Sequence, residues 1–319
     1  MVRTQGEFLI SNSPTPEEIT RIREEVDRFN QVATDGRFYF PGAEDSGLAF
    51  DIAVRDPSGT IVGGINVSSI LGVMWLEVLW IAEPYRRRGL AGWLVLEAER
   101  AAYERGCVGA GTWTFDWQGA DFYPRIGYAL RGIYDGYPAG MTEHVLTKRL
   151  PSPRTVRNDA ARRVERSLRD GFTLVDEPTE EEMSVVRDGL EAYCVARGGD
   201  ERKDSGYRIH LVLRDRRTDF AGGLVARTEM RALVLEELWI DGRHRGRGLG
   251  RGLVTEAERT ARSHGCIGAQ GCCLCFQSPA FFRRLGYETF GTVDVYPDGY
   301  TEELLIKRFD GSRPSPGAT

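Results

Sequence analysis

The chain has 319 residues, 41% of them hydrophobic and 28% charged, the composition of a globular protein with room for two ordinary domains. Its net charge is −5, with 15 basic and 20 acidic groups in residues 1–150 and 27 of each in residues 151–319, so neither half offers the basic surface of a nucleic-acid binder. No apolar run reaches the roughly 18–20 residues that span a bilayer, and Met1-Val2-Arg3-Thr4-Gln5-Gly6 does not open a signal peptide; a cytoplasmic protein is expected.

In chain order, a helix is predicted over Glu17–Phe29 with Thr15 as its N-cap. Strand-like runs follow at Leu48–Val54, Ile61–Val67 and Trp75–Ile81. A turn then leads into a helix at about Leu90–Arg105, where Leu90, Leu94, Ala98 and Ala102 recur at helical spacing and Gly106 ends it. A further strand, a short helix over Ala120–Ile126 and a last strand complete this half. The order then repeats, with a helix at Glu180–Ala192 capped by Thr179. Strands follow at Ile209–Leu213, Gly222–Ala226 and Leu233–Ile240, then helices at Leu249–His264 and Pro279–Leu285.

The repetition is one of sequence as well as pattern. Leu76-Glu77-Val78-Leu79-Trp80-Ile81 returns as Leu235-Glu236-Glu237-Leu238-Trp239-Ile240, and between Leu76–Arg149 and Leu235–Arg308 35 of 74 positions are identical. The same spacing matches Asp45-Ser46-Gly47 with Asp204-Ser205-Gly206, and Gly63-Gly64 with Gly222-Gly223. A period this long makes each copy a domain rather than a solenoid unit. Strands interleaved with helices predict an α+β fold with a mixed sheet in each copy. The expected boundaries are 1–150 for the first domain, 151–171 for a linker, 172–310 for the second domain and 311–319 for a disordered tail. Within the linker, the arginine-rich Thr155–Arg169 reads as a solvated helix. The first copy has extra residues around Thr34–Glu44, a candidate loop near a substrate.

The turn after the Leu-Glu-x-Leu-Trp-Ile strand carries the chemistry. It reads Arg86-Arg87-Arg88-Gly89-Leu90-Ala91-Gly92 in the first copy and Arg245-Gly246-Arg247-Gly248-Leu249-Gly250-Arg251 in the second. Small residues let the backbone approach a ligand, amide N–H groups converge at the positive end of a helix, and arginines add charge-assisted contacts, which together suit a pyrophosphate. The three-glycine spacing of a dinucleotide fold is absent. Six cysteines, four of them crowded between Cys266 and Cys275, do not form a disulfide framework, and none of the four histidines sits in a ligand or nucleophile pattern, so reduced thiols and no metal are expected.

Arg-x-x-Gly-x-Gly/Ala after such a strand, followed by Phe122-Tyr123-Pro124-Arg125-Ile126-Gly127-Tyr128, resembles the GNAT superfamily of N-acetyltransferases, in a tandem two-copy form. The resemblance covers nearly all of both copies. It implies acetyl-CoA or another acyl-CoA as co-substrate, with its pyrophosphate on the amides of Arg87 to Gly92 and of Gly246 to Arg251. The backbones of Leu79, Trp80 and Ile81, and of Leu238, Trp239 and Ile240, would pair with pantetheine like an added strand. It further implies Glu77 as general base and Tyr123 as general acid, with Glu236 and Phe282 at the matching positions. Phe282 cannot donate a proton, so the first copy carries the more complete set. The family's frequent asparagine seven residues before the tyrosine is Asp116 in the first copy and Cys275 in the second. The expected acceptor is a primary amine of a small molecule such as an antibiotic, polyamine or amino acid, and the acidic first half would steer a cation. The alternatives are an acyl-CoA sensor or scaffold, and a peptide or protein N-acetyltransferase.

Overall fold

The computed structural model describes residues 2–36, 49–150, 165–167, 171–198, 206–217 and 219–311. The first copy runs β1 (Val2–Gln5), β2 (Phe8–Ser11), α1 (Pro16–Ala33), β3 (Phe50–Arg55), β4 (Ile61–Ile70), β5 (Val73–Ile81), α2 (Leu90–Glu104), β6 (Gly109–Phe115), α3 (Phe122–Arg125), β7 (Ala129–Tyr134) and β8 (Glu143–Arg149). The second runs β9 (Glu165–Ser167), β10 (Thr173–Asp176), α4 (Glu180–Gly198), β11 (Arg208–Arg214), β12 (Phe220–Glu229), β13 (Ala232–Ile240), α5 (Leu249–Ser263), β14 (Gly268–Leu274), α6 (Pro279–Arg284), β15 (Glu288–Val293) and β16 (Glu302–Arg308). Predicted helices and central strands appear within a few residues of their expected limits. Within Thr155–Arg169, however, residues 165–167 form strand β9 against β10 instead of a helix. The rest of that stretch, most of the expected loop at 34–44 and the tail from 312 lie outside the described residues.

Each copy forms a mixed sheet, and the two join through β15 and β7 into one of 16 strands. At the join Gly291 faces Gly132. A Cβ on Gly132 would stand 2.9 Å from the Phe290 carbonyl, so these glycines permit the approach.

The copies exchange their first segments. β2 pairs with β11 of the second copy, and β10 pairs with β3 of the first. Helix α1 packs on β12 and β13, while α4 packs on β4 and β5. Accordingly Phe8 and Ile10 belong to the core of α5 and β11–β14, and Phe172 and Leu174 to the core of α2 and β3–β6. The domains expected at 1–150 and 172–310 therefore mark the sequence repeat, whereas each packing unit borrows its first strand and helix from the other copy. Matched anchors hold the exchange. Thr15 and Glu18 close a capping box at the start of α1, and the same Glu18 carboxylate accepts two bonds from Arg214, at 2.8 and 2.6 Å. Glu182, capping α4 with Thr179, pairs in the same way with Arg55. The repeated glycine pair makes room for the borrowed helix, since a Cβ on Gly223 would lie 2.2 Å from Ile22 and one on Gly64 2.8 Å from Val186.

Where the copies meet, two matched pairs join a buried tyrosine to a half-buried carboxylate: Tyr137 donates to Glu143 at 2.9 Å and Tyr296 to Glu302 at 2.8 Å. Burial pushes both carboxyls up to about 7, partly offset by the tyrosine hydroxyls. Both folded values lie above the unfolded value of 4.5, so the native state binds more protons between pH 4.5 and 7. Their contribution to stability is greatest below that window and declines as pH rises through 7, by up to about 3 kcal/mol for each carboxyl. Melting temperature against pH checks this. Glu143→Gln with Glu302→Gln should flatten the decline and melt higher than the wild type at pH 8, and an unchanged slope would refute the assignment.

Candidate active site

A β-bulge and a parting of strands build the site. Opposite β4, Leu76 pairs with Val67 and Val78 with Asn66, leaving Glu77 as the extra residue; Glu236 is the extra residue opposite β12. β5 pairs in parallel with β6 only from Val73 to Leu76, so its remaining residues to Ile81 diverge from Thr112 onward. β13 and β14 part in the same way after Leu235 and Gly271. The parting leaves one edge of β5 and of β13 unpaired, and α2 or α5 and the borrowed helix pack against these strands.

At the C-terminal gap lies a cavity of about 580 Å³. Leu249, Phe281 and Phe282 line it on the α5 side, Val26 and Phe29 on the α1 side. Most of the second copy's residues predicted to hold a cofactor line it too: Leu238, Trp239, Ile240, Arg245, Gly246, Gly248, Leu249, Gly250 and Arg251. Arg247 does not, and its guanidinium reaches Glu7 at 3.2 Å.

Both turns have the backbone that anion binding needs. Arg87 and Gly89 in one, Gly246 and Gly248 in the other, take positive φ, which curls successive amides toward a common point. Gly89 and Gly248 stand at the N-caps of α2 and α5, and neither helix start has a side-chain cap. A Cβ on Gly89 would meet nothing within 4 Å, so packing does not demand glycine there; the backbone angle and the open space in front of it do. Arg86 and Arg245 each donate through Nε to the last carbonyl of the preceding strand, Ile81 at 2.9 Å and Ile240 at 2.8 Å. Arg87, Arg88 and Gly89 are exposed, Leu90 is buried in the α2 core, and Ala91 and Gly92 follow on the first turn.

The borrowed helices supply an aromatic wall. Arg86 lies 4.8 Å over the ring of Tyr193 on α4, and Arg245 lies 5.5 Å over Phe29 on α1. Tyr193 also donates to the Trp117 carbonyl at 3.1 Å. Sequence reading missed this wall, because each aromatic comes from the copy that does not own the turn.

Tyr123 is buried in the α2 core, on the same face as Thr112 and beside the point where β5 and β6 part. Burial pushes its phenol up to about 12, with a hydrogen bond to Thr112 opposing, so it carries its proton at neutral pH. Phe282 occupies the matching place in the second cavity. Glu77 is exposed on its bulge and accepts from Ser68. Glu236 is paired with Arg227 at 2.6 Å and Arg208 at 3.5 Å. Trp113 and Phe115 pack into the junction between the copies, Trp113 against Phe290 at 6.5 Å and Phe115 stacked on Trp117 at 5.3 Å. All six cysteines are free thiols.

A mixed sheet with one parted strand pair, entered by a turn of positive-φ residues at a helix start, is the frame each copy presents, and the chain is an acyl-CoA-dependent acetyltransferase. The profile of the GNAT acetyltransferase family matches residues 15–128 and again 170–287. Among curated proteins the chain is 42% identical to a blasticidin-S acetyltransferase of Streptomyces morookaense, over 28% of this chain and 68% of that protein. It is 30% identical to an acetyltransferase of Agrobacterium fabrum, over 43% of this chain and 98% of that protein. A crystal structure of an acetyltransferase from Bacillus cereus aligns at 26% identity over 42% of this chain and 95% of that chain, with a TM-score of 0.39. The chain belongs to the GNAT acetyltransferase family, in a tandem two-copy form. Among the described residues no helix is long and apolar enough to cross a membrane.

Proposed function

We propose that the protein transfers an acetyl group from acetyl-CoA to a primary amine of a small molecule. The observation that carries this reading is the parting of the strands in each copy, with a cavity at the second. A thioester laid along the turn and the diverging strand from the helix α2 or α5 face can meet an amine entering from the borrowed-helix face. The amides of Arg87 to Gly92 and of Gly246 to Arg251 would hold the pyrophosphate. The free edges of Leu79–Ile81 and Leu238–Ile240 would take pantetheine. In the first copy Glu77, on the bulge at the mouth of the gap, would draw a proton from the amine, and neutral Tyr123 would give one to the departing sulfur. The relative named for blasticidin S makes an aminated antibiotic the first acceptor to try, ahead of polyamines and amino acids.

Calorimetry tests the cofactor half of the reading. Acetyl-CoA should bind at two sites per chain, more tightly than a pantetheine analogue without phosphates. Gly89→Val or Gly248→Val places a β-branched residue at positive φ against the cradle, and each should remove one site. Equal affinity for the analogue, or no binding, would overturn the proposal. Thiol release with blasticidin S and with spermidine tests the acceptor half.

A further inference from the structure

The two gaps are lined differently on the face that receives the acceptor. The repeat matches Trp113 and Val78 of the first copy with Cys272 and Glu237 of the second. Trp113 fills its place against Phe290, whereas Cys272 is exposed and lines the cavity, so the second gap has exchanged an indole for open volume. Glu237 lines the same cavity. Its cross-strand partner is Val225, which in turn pairs with His210, and residues so paired share a face. Helix α1 covers that row. Arg23 reaches Glu237 Oε1 at 3.2 Å, with its guanidinium half in water, while Oε2 is buried without a hydrogen-bond partner among the described residues. Glu236, the next residue, is committed to Arg227 and Arg208. The matching row in the first copy is Asp51, Asn66 and Val78; Asn66 donates to Asp51 at 2.7 Å, and β5 presents no second carboxylate.

We propose that the C-terminal gap is an acceptor site of its own, built for a small molecule bearing a protonated primary amine, in which Glu237 holds the ammonium and takes its proton. This rests on the acetyl-transfer reading above. Burial pushes the Glu237 carboxyl up to about 7; Glu236 and Asp27 push the same way and Arg23 opposes them. His210, facing the row from β11, is held below its usual value by burial and by Arg208 and Arg23, so it is neutral around pH 7. One ammonium proton passes to the Glu237 carboxylate and on to water. The freed nitrogen forms its bond to the thioester carbon, the carbon–sulfur bond breaks, and the second proton leaves nitrogen for the departing sulfur. That route needs no tyrosine, in keeping with Phe282. The ligand chemistry is therefore set partly by the first copy, whose helix brings Arg23, Val26, Asp27 and Phe29.

The experiment uses the full chain carrying Gly89→Val, which leaves the C-terminal site for acetyl-CoA; Arg87→Glu with Arg88→Glu, both exposed, serves if that variant does not fold. Blasticidin S and spermidine are the probe amines, read by thiol release across pH 5.5–9. Adding Glu237→Gln should lower kcat/KM for the amine by about 10²–10⁴ and remove the rise near pH 7, with acetyl-CoA affinity unchanged. Adding Cys272→Trp should raise KM for the amine and likewise spare acetyl-CoA. Turnover that survives Glu237→Gln, loss that follows Glu236→Gln instead, or turnover confined to the Gly248→Val chain would overturn this assignment alone. Failure of the wild type to acetylate either amine would overturn the transfer reading with it.

Discussion

Cutting the chain within residues 151–164 should not separate its halves. With a protease site placed there, the two fragments are expected to elute as one particle of the uncut mass and to part only in denaturant. The first half buries Phe8, Ile10 and Ile22 in the unit built on the second copy's sheet. The second half buries Phe172, Leu174, Val175, Met183 and Val186 against the first copy's sheet. At about 1.5–3 kcal/mol for each fully buried side chain, these eight supply on the order of 12–24 kcal/mol before the cost of ordering. The paired strands, the two anchoring carboxylate–arginine pairs and the apolar junction of β7 with β15 add to this. Gly223→Val pushes a side chain into Ile22, and Gly64→Val pushes one into Val186. Overpacking of that kind costs about 1–3 kcal/mol per site, so the doubly substituted, cleaved protein should separate at lower denaturant. Fragments that drift apart in native buffer would show that each copy closes on itself.

That exchange was not legible in the sequence. Both first helices share Pro-Thr-x-Glu-Glu and the same capping logic, and both glycine pairs sit at the same place in their strands. A pattern repeated twice fits either sheet equally well, and only the three-dimensional route of the connections decides. The repeat itself, the helices after the turns and the cradle backbone were legible, because glycines at positive φ, helical spacing and a helix start leave local marks. Glu237 left none. What distinguishes it from Glu236 is the bulge, which turns one carboxylate to the arginines of neighbouring strands and the other toward Arg23, more than 200 residues away in sequence. The aromatic wall escaped for the same reason, since Tyr193 and Phe29 each serve a turn in the other copy.

Removing the Tyr123 hydroxyl should lower kcat at the N-terminal site about 10²–10⁴-fold, the usual worth of a general acid. The measurement belongs in the Gly248→Val chain, where the N-terminal turn alone should take acetyl-CoA and the second site would not mask the loss. Tyr123→Phe keeps the ring, which packs edge-on against Phe122 and Tyr128 at 5.1 and 5.6 Å, so fold and acetyl-CoA affinity should hold. The phenol, pushed up to about 12, stays protonated across the working range, so its loss should scale kcat without moving the pH profile. The reverse change is the sharper test. In the Gly89→Val chain, Phe282→Tyr adds a hydroxyl at the matching place, where Gly271 and Cys273 stand in for Thr112 and Thr114. If the departing sulfur limits the rate there, kcat should rise with KM for acetyl-CoA unchanged. An N-terminal site indifferent to Tyr123→Phe would mean that the sulfur leaves there without the tyrosine's proton, and that the tyrosine is kept for the ring it packs with.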